Sequence, residues 1–405
     1  MRQLGTRWLA VVLALAMLLS LTACGGKNGL PADEQDQQET EQQAENPSSE
    51  GAQQPAGEDY DGKLVLEGPM ELEYAENFSV DLYKGGYRMI RGGSNDVQFL
   101  VVPEGMSVPA DLDDGVKVLQ MPIDNVYSGS SGMVSLIDAI GALDHVKLVA
   151  TSLDDWYIDT VTERMNDGRI TYSGSIKEPD YELMTANSIQ LHVDTTMIDS
   201  YPEVLEKFSE LGIPSLVEDS SKESHPLGRV EWVKLFGVLF GMEDEANAYF
   251  NEQKALVEAA STDESYGKTV AFGYIKSGGD SYARNGGDYI AQMIGIAGGD
   301  YILADMEPDQ GGNTKMSFEE WYAKFKDAEY LFYWNMSVKF YSIQEMIEYN
   351  PLFADFKAVQ DGHVWVTSPD FTQSTAAIAS IIQDMNTILS SEDGLVTTDH
   401  LIRLE

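Results

Sequence analysis

The sequence predicts an α/β protein: two doubly wound α/β lobes joined by one long interdomain helix, with a small β-rich N-terminal extension. Three observations point there. From Val116 to Val217, short apolar runs alternate with helical stretches, as parallel strands covered by helices do. From His225 to Ala260 the pattern is helical throughout, and after Gly267 the alternation resumes. The length agrees, because about 380 residues follow the leader, more than one core usually supports.

Residues 1–23 read as a signal peptide. Arg2 and Arg7 supply a positive start, Trp8 to Leu21 is almost wholly apolar, and Thr22 and Ala23 are small. The run is too short for a spanning helix. Leu21-Thr22-Ala23-Cys24 resembles the lipobox of bacterial lipoproteins, which implies that the Cys24 thiol is acylated and becomes the new N-terminus. The plainer reading is an ordinary signal peptide, or N-terminal anchor, with an incidental cysteine. Cys24 is the only cysteine. The chain beyond it therefore forms no disulfide, cysteine zinc site, cysteine nucleophile or cysteine-held cluster.

Residues 24–60 hold almost no large apolar side chain and read as a disordered acidic tether. Net charge is −41, and the stretch from Gly25 to Asp59 accounts for only nine acids and one lysine. Much of the excess thus belongs to the folded part. Such a surface repels nucleic acid and anionic headgroups, so membrane attachment is expected through the lipid on Cys24.

Residues 61–115 form the β-rich extension. Strands are expected at Glu71–Ala75, Phe78–Tyr83, Tyr87–Arg91 and Val97–Pro103, with turns at Lys84-Gly85-Gly86 and Gly92-Gly93. Residues 116–224 form the first lobe, with strands at Val116–Pro122, Val146–Thr151, Ile189–Asp194 and Ile213–Val217. Its helices are Ser131–Ile140, Trp156–Asp167 and Tyr201–Glu210. Residues 225–262 are the hinge: a helix from His225 to Phe240, a break at Gly241, and a helix from Glu243 to Ala260, about 27 Å long. Residues 263–370 form the second lobe, with strands at Thr269–Ile275, Glu329–Trp334 and Val364–Thr367 and a helix at Asp288–Ala297. Residues 371–405 carry a closing helix, Phe371–Ser391, and a tail.

Several stretches in this order resemble one family, the substrate-binding lipoproteins of ABC importers for iron-siderophores, haem and cobalamin. Ile137 to Asp144 resembles the family's "LGALD" helix end, and Glu178 to Glu182 its "P(D/N)-x-E". Tyr201 to Pro214 is similar to its "L…GIP", and His225 to Lys234 to the helix before its spine. Ala297-Gly298-Gly299 resembles its "AGG", Met316 to Glu319 its "S-x-E", and Ala358 to Trp365 its "A-V-x-x-G-x-V-Y". The resemblance implies limited hinge motion, a ligand held between the lobes, and docking of a monomer on a permease with a separate ATPase. No Gly-x-x-x-x-Gly-Lys-Ser/Thr loop is present, so ATP hydrolysis by this chain is not expected. No cofactor of its own is expected either; the transported ligand would be a ferric siderophore, haem or a corrinoid.

Ligands of doubly wound sheets bind beyond the carboxyl ends of the strands. That rule selects Tyr127 and Ser128 in the loop Asn125–Ser131, where a helix start offers amides to an anion; alternatively Ser130 or Ser131 only caps the helix. It also selects Trp156 and Tyr157, as faces for a flat ligand, although one of them can belong to the core. Tyr172 is a weaker candidate. Arg229 suits a carboxylate of a chelate, or else pins the hinge to an acid such as Glu223. Tyr274, Tyr282, Arg284 and Trp334 are the second-lobe candidates. His225 caps or packs more readily than it ligates a metal. The resemblance further implies acidic docking residues: Asp159 or Glu163 on the first lobe. On the second lobe Gln292 and Gly295 stand where the family often has a glutamate, leaving Asp288 or Asp300.

Three rival functions compete with this one. Free-metal capture needs converging ligands, and the five histidines fall on different elements with no ligand spacing; an oxyanion is the other small-ligand alternative. An enzyme lacks any nucleophile elbow or metal motif. A sensing lipoprotein without transport remains compatible with the sequence.

Overall fold

The computed structural model describes residues 63–262 and 264–405. The signal peptide, Cys24 and the tether lie outside them. No helix among the described residues is long and apolar enough to cross a membrane.

The N-terminal extension is a five-stranded sheet in chain order: β1 (Leu66–Pro69), β2 (Phe78–Tyr83), β3 (Arg88–Gly92), β4 (Val97–Val102) and β5 (Lys117–Gln120). The first four pair antiparallel, and β5 returns parallel to β4. Two expectations change here. Residues 71–75 are irregular, not a strand, because their backbone donors go to a carboxylate. The N–H groups of Glu73, Tyr74 and Ala75 donate to the buried Glu231 side chain at 2.8–3.1 Å. Those of Glu76 and Asn77 donate to Glu223 at 2.9 and 3.1 Å. Backbone donors satisfied in this way need no neighbouring strand. The strand expected to open the first lobe is β5, and it completes the N-terminal sheet instead.

The first lobe opens with β6 (Val126–Ser128), within a stretch expected to be a loop. It continues through α1 (Ser131–Ala139), β7 (Val146–Val149), α2 (Asp159–Asn166) and β8 (Thr171–Tyr172). A two-stranded pair, β9 (Gly174–Ser175) and β10 (Glu178–Pro179), precedes α3 (Tyr181–Ala186). Then come β11 (Leu191–Thr195), α4 (Pro202–Glu210) and β12 (Ser215–Glu218). The sheet is parallel, in the order β12-β11-β6-β7-β8. All three residues of β6 are buried. A central strand covered on both faces shows no alternation, which hides it among loop-like residues.

The expected helix from His225 to Phe240 is two: α5 (Pro226–Glu231) and α6 (Val233–Phe240), meeting at Trp232. Gly241 ends α6 with φ 69°, a left-handed cap that favours glycine. The interdomain helix α7 (Glu243–Ala260) has its expected bounds.

In the second lobe, β13 (Lys268–Ile275), β14 (Ser281–Arg284), α8 (Tyr289–Ile296), β15 (Gly299–Tyr301), β16 (Asn313–Met316) and α9 (Phe318–Phe325) come first. They are followed by β17 (Tyr330–Tyr333), α10 (Ile343–Tyr349), α11 (Lys357–Asp361), β18 (Val364–Thr367), α12 (Ile378–Ser390) and β19 (Leu401–Arg403). Strands β15, β13, β17 and β18 are parallel at the centre, and β14, β16 and β19 are antiparallel on the flanks. The closing helix starts later than expected. Ser374 Oγ donates to the Asp370 carbonyl at 2.9 Å, a local bond that competes with helix formation. One apolar core runs through both lobes and the hinge helices, with Trp232, Trp321 and Trp365 fully buried.

Candidate functional site

A cavity of about 350 Å³ lies where the lobes meet the hinge. Its first-lobe wall is Met197 and Ser221. The hinge helix α5 contributes Arg229, and β14 ends in Arg284. Helix α8 presents Tyr289 and Met293, and the loop after β17 presents Trp334 and Met336. Phe371, Thr372, Ser374 and Thr375 come from the β18–α12 connection, and Ile378 and Ile381 from α12. Most of these come from loops and helices that follow the carboxyl ends of strands, where ligand sites of α/β sheets lie.

Cations and rings alternate along one side. The Arg229 guanidinium carbon is 4.1 Å from the Tyr289 ring centre, and that of Arg284 is 5.6 Å from the same ring. Arg284 is also 4.7 Å from the Trp334 ring. Trp334 meets Tyr274 edge-on at 5.1 Å, and Tyr274 stacks on Tyr282 at 5.0 Å. Arg284 is 6% exposed. Burial works against its charge, but the neighbouring Asp288 carboxylate and the phenolic oxygens of Tyr289, Tyr274 and Tyr301 outweigh that and hold it charged. The pair is 3.2 Å apart. Among the described residues, Nε of both Arg229 and Arg284 lacks a hydrogen-bond partner. Leaving such a donor unmet costs about 1–3 kcal/mol, so the site favours an anionic acceptor. A flat apolar body can lie against Trp334, Phe371 and the isoleucines of α12.

Of the residues expected from sequence, Arg229, Arg284 and Trp334 meet in this cavity. Tyr274 and Tyr282 form a second row behind Trp334. Tyr127 does not reach it. It is 0% exposed, packed in the first lobe against His192 at 5.2 Å and Phe208 at 5.7 Å. Burial pushes its hydroxyl pKa well up. Ser128 is buried too, its Oγ donating to the Ser130 carbonyl. The helix start beside them is not open to an anion, because the chain's own acids fill it. Ser130 Oγ caps Met133 N–H and donates to the buried Glu218 at 3.2 Å. Gly129 lies so close to Asp194 that an added Cβ would sit 2.2 Å from its Oδ2.

Trp156 is buried, its Nε1 donating to the Thr151 carbonyl. Tyr157 and Tyr172 are 50% and 45% exposed and outside the cavity wall. Glu223 does not pair with Arg229; it takes Trp232 Nε1 at 2.9 Å besides the backbone donors above. His225 caps α5, accepting from Leu227 N–H. Asp159 and Glu163 are exposed on α2, one turn apart on one face. Asp288, expected on a docking surface, is 1% exposed. It caps α8 through Ile290 N–H and also accepts from Gly312 N–H. Asp300 is exposed. No group of three or more metal-capable His, Cys, Asp or Glu side chains occurs among the described residues.

Sequence reasoning missed Tyr289, Met293, Met336, Met197 and most of Phe371–Thr375. Tyr289 was within reach, standing directly after a capping aspartate that follows an arginine-bearing strand. Met197 and Met336 carry no local signal.

Residues 148–371, more than half of the chain, match the profile of the periplasmic binding protein family. An uncharacterised lipoprotein of Methanocaldococcus jannaschii is 27% identical over 351 residues, 79% of this chain and 82% of that one. Among solved structures, a periplasmic binding protein from Veillonella parvula aligns with TM-score 0.54 and 17% identity, covering 69% of this chain and 97% of that one. A periplasmic heme binding protein from Pseudomonas aeruginosa aligns with TM-score 0.50 and 16% identity, covering 70% and 98%. These similarities to solved structures concern the fold.

Proposed function

Because this chain belongs to the periplasmic binding protein family, whose members bind substrates and are not enzymes, we propose that it captures an anionic metal chelate in the inter-lobe cavity and delivers it to an ABC permease. A ferric siderophore, haem or a corrinoid is the ligand class. One observation carries the reading: Arg229 and Arg284 share the ring of Tyr289 in a cavity otherwise lined by aromatic, thioether, aliphatic and hydroxyl groups. Guanidinium groups held on rings recognise carboxylates and similar anions strongly. The apolar remainder of the wall favours a ligand with a flat, poorly hydrated body.

The protein acts outside the cytoplasm, held to the membrane through Cys24. The leader and its lipobox support this, as does the relative described as a lipoprotein. Asp159 and Glu163 on α2 are the first-lobe docking acids, and Asp300 is the exposed second-lobe candidate.

Titration of the domain from Asp61 onward with haemin, cyanocobalamin and a ferric siderophore panel tests the proposal, read by absorbance and tryptophan quenching. Saturable one-to-one binding is expected, weakened at least about tenfold by Trp334→Ala or Arg229→Ala, a loss of about 1.4 kcal/mol or more. No binding to any chelate, with retention of a free oxyanion or metal ion, overturns the ligand class and leaves the fold assignment intact.

A further inference from the structure

The segment that lines the cavity also ties the lobes together. Phe371, Thr372, Ser374 and Thr375 belong to the cavity wall. Gln373, in their midst, bonds across to the first lobe. Its Nε2 donates to the Asp155 carbonyl at 2.7 Å, and its Oε1 accepts from the Tyr157 N–H at 3.0 Å. Gln373 is 6% exposed, so little water competes for either bond. A side-chain amide using donor and acceptor on one short loop fixes that loop in position and orientation. The rest of the strap is tied as well. Ala376 N–H donates to Ser135 Oγ on α1 at 3.2 Å, and Tyr249 OH on α7 donates to the Ala376 carbonyl at 2.6 Å. Gly132 packs against Thr375 so closely that an added Cβ would lie 2.7 Å from its Oγ1.

The clamped loop runs directly into α2, where Asp159 and Glu163 are exposed. We infer that Gln373 is a positioning residue coupling the cavity wall to residues 155–163, so that a docking protein reads the state of the cleft at α2. The identity of that docking protein rests on the transport reading above; the coupling does not. Its physical basis is one short strap whose side chains 371, 372, 374 and 375 line the cavity while side chain 373 holds the loop before α2.

Native-state hydrogen exchange on the chain tests this without ligand or permease. Phe371→Leu perturbs the cavity wall. In the otherwise unaltered chain it is expected to speed exchange at the amides of residues 157–163 about tenfold. In a Gln373→Met background the added effect of Phe371→Leu should fall below about twofold, because the attachment is gone. Equal increments in both backgrounds overturn the inference. So does no response at 157–163 to Phe371→Leu, or an equal rise across α4 (Pro202–Glu210), which the strap does not touch and whose loosening would mean a general loss of stability. Gln373→Leu removes both bonds with a side chain of different shape, so the same loss of coupling is expected; it serves where Gln373→Met fails to fold. Failure of chelate binding bears on the transport reading alone and leaves this measurement standing.

Discussion

The guanidinium of Arg284 lies 4.7 Å from the ring centre of Trp334 while forming a 3.2 Å ion pair with Asp288. One side chain thus serves two ends: it holds the start of α8, through Asp288, and it charges the cavity. Both partners of the ion pair are buried.

Removing one partner of that pair leaves an uncompensated buried charge. Arg284→Met is expected to destabilise the protein by about 3–5 kcal/mol, seen as a lower urea midpoint. Adding Asp288→Asn should recover part of the loss: Asn still caps α8 without the charge, but its amide turns a donor toward Gly312 N–H. A double variant no more stable than Arg284→Met alone would remove the ion pair from the account.

Glu231 offers the second test. Its carboxylate accepts from three successive backbone N–H groups and pairs with Lys234 at 2.7 Å. Glu231→Gln replaces one acceptor oxygen by a donor facing donors. A loss of about 3 kcal/mol or more is expected, with residues 71–77 becoming the first site of limited proteolysis. Cleavage elsewhere at an unchanged midpoint would show that the N-terminal sheet is held by other contacts.

Stability should depend on pH through His400 and Asp370, 3.6 Å apart on the tail and the cavity strap. The Asp370 side chain raises the His400 pKa, although burial opposes it. His400 lowers that of Asp370, again against burial. A raised histidine contributes fully below its unfolded value, about pH 6.5, and loses that contribution as pH rises through the folded value. A depressed aspartate contributes above its unfolded value, about pH 4, and loses it as pH falls through the folded one. Asp384 faces the same histidine, accepting from its backbone N–H at 2.7 Å, and burial raises its pKa. His400→Gln should therefore flatten the decline in urea midpoint between pH 6 and pH 8. An unchanged slope would assign that decline to other groups.

Gly129 has no room for a side chain against Asp194. Gly129→Ala is expected to cost about 1–3 kcal/mol through overpacking, measured by thermal unfolding, with chelate binding retained because β6 stands apart from the cavity. A loss of binding at unchanged stability would place Gly129 at the ligand instead.

Local pattern was enough for much of the architecture. Helical periodicity set α7 at its observed bounds, Gly241 marked the end of α6, and the apolar run Val364–Thr367 is strand β18. Arg229, Arg284 and Trp334 could be chosen because strand ends and helix starts are local features. The facing of each aromatic was not local. Tyr127 and Trp334 are both aromatics near strand ends, yet one packs against His192 and Phe208 in the core and the other lines the cavity. Which strand neighbours which decided that, and strand pairing joins residues far apart in the chain. The same holds for β5, whose sequence suits either sheet, and for Glu231 with residues 73–75 or Gln373 with Asp155 and Tyr157. Periodicity along a chain reports which side of an element is apolar; only tertiary packing decides what that side meets.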